Sequence, residues 1–172
     1  MGQKLKNVER IRPVLNKADL KAYVKLEAQS DAKYPPFCRK WTYQHFSQIL
    51  AAHGIMAQSY VVSSQDILHK EEVIGFILYR MHKDRFEILN LVSDADRPDV
   101  RKKLIVLMQT KAEKPNVMRK IVEFTVRETD EEWHRLLNSS NFKAELVREH
   151  FDHPVEDGYK FKWEAEDVGE PE

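Results

Sequence analysis

Four groups of side chains in this sequence could do chemistry. His150 and His153 flank Phe151-Asp152 near the C-terminus. An imidazole titrates in the range that a general base needs, and His150-x-x-His153 with Asp152 offers donors that a divalent metal accepts. The plainer reading is two surface histidines in a polar loop, His150–Asp157, and without further ligands no metal is expected. Cys38 precedes Arg39 and Lys40, whose charge would favour a thiolate. No histidine stands near it in the chain, so an unreactive thiol is the plainer reading. Glu123 shares one face of an alternating segment with Thr125 and Arg127, where a carboxylate could take a proton or simply be solvated. Basic residues crowd two stretches, Arg97–Lys103 and Lys111–Lys120. They could contact nucleic-acid phosphates, although such runs are more often solvated helix faces.

Composition narrows these options. The 172 residues suit one domain, expected over 1–163, followed by an acidic tail at 164–172. The 28 basic residues balance 28 acidic ones, so no net field draws the chain to nucleic acid or an anionic membrane. Apolar runs such as Val73–Tyr79 are too short to span a bilayer. The start lacks an apolar segment, so no secretory signal is expected, and Lys6 stands where a myristoylation pattern needs Ser or Thr. Cys38 is the only cysteine, which excludes an internal disulfide and a thiolate zinc site. A cytoplasmic protein is expected. Of the five glycines, none lies between Gly75 and Gly158.

The elements that must position these residues are read from periodicity and end signals. Val8–Leu15 alternates as a strand. Asn16 caps a helix over Lys17–Gln29, with Leu20, Tyr23, Val24 and Glu27 on one face. Tyr34-Pro35-Pro36-Phe37 marks a loop. Thr42 caps a second helix, which Gly54 stops. Strands are expected at Ile55–Ser63, Val73–His82 and Phe86–Val92. Asp96 caps a third helix that opens at Asp96-Arg97-Pro98-Asp99 and runs to about Lys114. A strand at Lys120–Arg127, a short helix at Asp130–Asn138 carrying Trp133, Leu136 and Leu137 as core, and closing strands at Phe142–Arg148 and Gly158–Trp163 complete the order. The pattern is β-α-α-β-β-β-α-β-α-β-β, an α/β (α+β) fold with a mixed sheet.

That order, with several local signatures, resembles the GNAT superfamily of acetyltransferases. Within it the chain is similar to the RimI-like group, which modifies a ribosomal-protein N-terminal alanine. Trp41-Thr42-Tyr43-Gln44-His45-Phe46 resembles that group's Trp-Ser-x-x-x-Phe. Val73-Ile74-Gly75-Phe76 and Ile88-Leu89-Asn90-Leu91 resemble its third and fourth strands. Val126-Arg127-Glu128-Thr129-Asp130 resembles its Val-Arg-x-Ser/Thr-Asn, Asn141-Phe142 its Gly-Phe, and Glu156-Asp157-Gly158-Tyr159 its closing motif. The resemblance implies a mainly antiparallel mixed sheet of about seven strands flanked by four helices. It implies acetyl-CoA as cofactor, if activity is retained, and a protein or peptide amine as acceptor. The backbone N–H groups around Leu91, Val92 and Ser93 would polarise the thioester carbonyl.

The same resemblance exposes departures. Family members bind the CoA diphosphate on N–H groups of a glycine-containing loop that leads into the third helix. The corresponding stretch, Asp96–Lys103, has no glycine, and Pro98 removes a donor. Asp96 and Asp99 put carboxylates where the phosphates would sit. If the cofactor is held, the side chains of Arg97, Arg101, Lys102 and Lys103 would have to hold it. Thr125 stands at the family's glutamate base, and Leu137 at its tyrosine acid. Asp130 replaces an asparagine, and Phe151 a substrate-side tyrosine. Glu123, His150 or His153 would have to substitute as catalytic groups. The competing expectation is a non-catalytic module that binds a peptide or protein on the same scaffold.

Overall fold

The chain begins its fold with β1 (Val8–Pro13), and each later boundary has a local cause. The computed structural model describes residues 7–31, 41–63, 70–151 and 156–166. Asn16 Oδ1 accepts from the Ala18 and Asp19 N–H groups at 2.9 and 3.2 Å, which starts α1 (Lys17–Asp31). Thr42 caps α2 (Tyr43–Leu50) reciprocally: its hydroxyl accepts from the His45 N–H, and the His45 ring accepts from the Thr42 N–H, both at 3.3 Å. After Gly54, at φ 79°, the chain enters β2 (Ile55–Ser63). A tight turn at Lys83-Asp84 joins β3 (Glu71–Met81) to β4 (Arg85–Ser93). Then follow α3 (Asp99–Glu113), β5 (Ile121–Arg127), α4 (Glu131–Ser139), β6 (Lys143–Phe151) and β7 (Glu156–Glu164).

The seven strands form one sheet in the order β1-β2-β3-β4-β5-β7-β6. β4 and β5 run parallel, from Arg85 opposite Ile121 to Ile88 opposite Phe124, whereas β1–β2, β5–β7 and β6–β7 are antiparallel. The expected sheet, helix number and element order are all present. Most boundaries shift by one to three residues, and those around α3 and the last hairpin bear on the site. The third helix starts at Asp99, and Pro98 stands just before it, where a missing N–H costs no helix bond while its carbonyl accepts from the Arg101 N–H. The last hairpin is longer than expected: a register irregularity between Val147 and Phe151 lets β6 continue, so His150 and Phe151 lie in a strand. Glu164 closes β7, and the Ala165 N–H donates to the Lys120 carbonyl at 2.8 Å.

The chain divides into two compact bodies that share β3, β4 and α3. One comprises Met1–Leu78 with Asn90–Leu104, the other Tyr79–Leu89 with Ile105–Glu172. In the first, an aromatic cluster forms the core. Tyr23 stacks on Phe76 with ring centroids 4.2 Å apart, and Phe46 meets both edge-on. Burial pushes the Tyr23 phenol up to about 12, partly opposed by its hydrogen bond with Ser59. The second body packs Trp133 edge-on to Phe124, and His134 against Tyr159 and Phe161. Leu137 is fully buried, while Trp133 and Leu136 are half-buried.

Candidate functional site

Residues 94–98 join β4 to α3, and Asp94 organises them. Its N–H donates to the Ile74 carbonyl at 2.8 Å, its Oδ1 accepts from the Asp96 N–H at 2.9 Å, and its carbonyl accepts from the Arg97 N–H at 3.0 Å. The N–H groups of Val100 and Arg101 donate to the carbonyls of Arg97 and Pro98, both at 3.2 Å. The expected cap at Asp96 is therefore corrected. Asp96 is exposed, and the carboxylate two residues earlier closes the turn, as aspartates do when they reach their own backbone. Beneath the helix start lies Gly75. A Cβ there would stand 2.6 Å from Val100 Cγ1 and 3.2 Å from the Val92 carbonyl oxygen, so the missing side chain lets α3 approach the sheet.

The cations of this turn are tied to carboxylates. Arg97 grips Asp99 through Nε and one terminal nitrogen, each at 2.9 Å, and that nitrogen also donates to Glu9 at 2.9 Å. Lys103 donates to Tyr60 Oη at 2.9 Å, to Glu9 at 3.1 Å and to Asp99 at 3.1 Å. An ammonium has three hydrogens, so each has an acceptor. The Tyr60 hydroxyl in turn donates to Glu9. Glu9 faces Val62 and Tyr60 faces Ile11 in the β1–β2 register, which makes Glu9 and Tyr60 diagonal neighbours on one face.

The charges respond as this geometry requires. The Tyr60 and Lys103 hydrogen bonds hold the Glu9 carboxyl below its ordinary range. Arg97, followed by Lys103, does the same for Asp99. Lys103 is raised by Tyr60, Glu9 and Asp99, and Arg97 chiefly by Asp99. Desolvation, then the bond to Glu9, raises Tyr60. Of the other expected phosphate ligands, Lys102 is exposed and Arg101 half-buried. Leu91, Val92 and Ser93 are each 4% exposed at the end of β4.

One residue with chemical potential was not singled out from the sequence. Glu27 is only 7% exposed, and its Oε2 accepts from Asn90 Nδ2 of β4 at 3.1 Å. The available signal was an acid on the apolar face of α1, in line with Leu20, Tyr23 and Val24.

In the second body Glu123 meets Arg85 at 2.9 Å with 17% of its side chain exposed. Thr125 is half-buried opposite Lys160. Asp130 caps α4 by accepting from the Trp133 N–H at 3.4 Å. Asn141, where the resemblance expects glycine, holds φ at 64°, and the Phe142 N–H beside it donates back to the Leu137 carbonyl at 3.0 Å. The basic run 111–120 is partly consumed internally. Arg119 donates to the His82 carbonyl and lies 5.9 Å from the Phe86 ring centroid, and Lys120 donates to the Lys114 carbonyl at 3.1 Å. Burial, then Lys114, lowers the Lys111 pKa. Cys38, His153 and the side chains of His150 and Phe151 lie outside the described residues. Among the described residues no group of three or more His, Cys, Asp or Glu could hold a metal, and no helix is long and apolar enough to cross a membrane.

No known family model matches this sequence, and neither does any curated protein. Solved structures do match. The ribosomal-protein-S18-alanine N-acetyltransferase of Escherichia coli superposes with a TM-score of 0.71 at 16% identity, over 96% of this chain and 99% of that one. NAA60 of Arabidopsis thaliana in complex with acetyl-CoA gives 0.67 at 19% identity, over 91% and 98%. Ard1 of Thermoplasma volcanium gives 0.70 at 13% identity, over 92% and 98%. The chain has the fold of the GNAT acetyltransferases.

Proposed function

We propose that this acetyltransferase-fold chain descends from an N-terminal acetyltransferase of the RimI-like type and now works as a peptide- or protein-binding module without acetyl-CoA. The observation that carries this reading is the pairing of Arg97 and Lys103 with Glu9 and Asp99. A diphosphate needs free N–H groups or free cations. Here the N–H groups of Asp96, Arg97, Val100 and Arg101 already have acceptors, and two cations are matched by two carboxylates. The residues present therefore do not fit the diphosphate of CoA. Chemistry is disfavoured for similar reasons, since Thr125 cannot take a proton near neutral pH, Leu137 has none to give, and Glu123 is paired with Arg85.

What remains is a means of recognising an amine. The reading takes that amine to be a peptide or protein one, as in the solved neighbour that acts on a ribosomal-protein alanine. A reducing, cytoplasmic setting accords with the single cysteine. Balanced charge and internally used lysines favour a protein partner over nucleic acid.

Fluorescence anisotropy with a pool of short peptides tests the reading. Peptides with a free α-amino group should bind the protein, and their N-acetylated forms should not. Release of CoA from acetyl-CoA in the presence of the same peptides would overturn it.

A further inference from the structure

Within the second body a cavity of about 800 Å³ opens where β5 begins and β7 ends. Sites for small molecules have volumes of this order. Lys143, the first residue of β6, faces Lys162, so β6 places nothing opposite Trp163 or Glu164. The end of β7 is thereby paired on one side alone, with Ile121 and Val122 of β5. Both faces of that end border the cavity, half-buried Trp163 from one and Lys162 with Glu164 from the other. Glu113 at the end of α3 and Glu166 just beyond β7 add two further carboxylates.

The charges around this cavity are not matched to one another. Lys143 and Lys162 stand directly opposite on an antiparallel ladder, where like charges destabilise and a bridging anion would relieve them. Glu145 and Lys160, the next pair on that face, are complementary. Glu123, on the other side of Lys162, is engaged by Arg85 at 2.9 Å. Among the described residues, none of Glu113, Lys143, Lys162, Glu164 and Glu166 makes an ion pair or a side-chain hydrogen bond. Two ammoniums and three carboxylates leave one net negative charge. A ligand that complements them brings one carboxylate for the lysine pair and two cationic groups for the glutamates. A cation can also lie on the Trp163 ring. We propose that this cavity binds a free basic amino acid. Its α-carboxylate sits between Lys143 and Lys162, and its α-ammonium and side-chain cation sit among Glu113, Glu164 and Glu166 beside Trp163. The site is separate from the peptide-binding reading above and does not depend on it.

Isothermal titration of the full chain with L-arginine tests this beside two analogues of nearly the same shape. Argininamide lacks the carboxylate, and citrulline lacks the side-chain charge. Arginine should bind at one site, and each analogue about tenfold or more weakly, the loss expected for one charge-assisted bond. The double variant Lys143→Gln/Lys162→Gln should bring arginine down to the level of argininamide without weakening argininamide itself. Glu164→Gln/Glu166→Gln should bring arginine down to the level of citrulline. Lys143, Glu164 and Glu166 are exposed and Lys162 is half-buried, so these changes leave the core alone, and circular dichroism verifies it. No binding of arginine at millimolar concentration overturns the proposal, as does equal binding of all three ligands. Variants that weaken the three ligands alike would show a merely structural role and overturn the assignment of the lysine pair.

Discussion

Glu9 and Arg97 are 88 residues apart in the chain, yet their side chains meet at 2.9 Å. This contact links the outermost strand to the turn that leads into α3. It also makes the fold sensitive to acid.

Glu9, Asp99, Glu71 and Asp19 all sit below their ordinary values in the folded chain. For the first three, hydrogen bonds from Tyr60, Arg97 and Arg10 respectively lead the causes. For Asp19 desolvation is largest and opposes the shift, but Arg12 and the Leu15 N–H outweigh it. A depressed folded value means stability that is present above the unfolded value and lost as pH falls through the folded one. The melting temperature should hold from neutrality to about pH 5 and fall below about pH 4. Glu9→Gln should lessen that fall, and an unchanged acid profile would show that the pairing contributes nothing.

The close seat of α3 on Gly75 gives a packing prediction. Gly75→Ala should destabilise by about 1–3 kcal/mol, as overpacking does, because Val100 Cγ1 lies 2.6 Å from the new atom. Adding Val100→Ala should cost less than the sum of the two changes. Urea unfolding of both variants reads this directly, and strict additivity would place the strain elsewhere.

Arg12 joins Asp19 and Glu71 almost out of solvent, with 11% of its side chain exposed against 4% for Asp19. Arg12→Met strands the buried Asp19 carboxylate and should cost about 3–5 kcal/mol. Arg10 pairs with the same Glu71 but is 55% exposed, so Arg10→Met should cost less than about 1 kcal/mol. Equal losses in the two variants would contradict the burial argument.

Asn141 holds a left-handed conformation at the end of α4. Asn141→Gly should leave stability unchanged or raise it slightly, whereas Asn141→Ala should lower it by about 1 kcal/mol. Thermal melts of the pair decide it.

Much of this was legible in the sequence. Thr42 and Asn16 announced two helix starts through short-range hydrogen bonding, and the strand signals placed β2 and β5 to within a residue. The departures that the resemblance assigns to Thr125 and Leu137 rest on single positions in recognisable segments. Asp94 was overlooked because three aspartates crowd the same turn and only the fold shows which one faces the backbone. Glu9 read as one more charge on an alternating strand. Its role depends on Arg97, Lys103 and Tyr60, which reach it only after β1 pairs with β2 and α3 docks. Glu27 gave a faint signal, but its partner Asn90 lies 63 residues away.

The most direct test is thermal unfolding of the wild type with millimolar acetyl-CoA. A ligand that binds the native state at a hundred times its dissociation constant stabilises it by about 2.7 kcal/mol, or roughly 5–10 °C in a chain of this length. A turn sealed by Asp94, Glu9 and Asp99 predicts no shift. A saturable rise of that size would contradict the account.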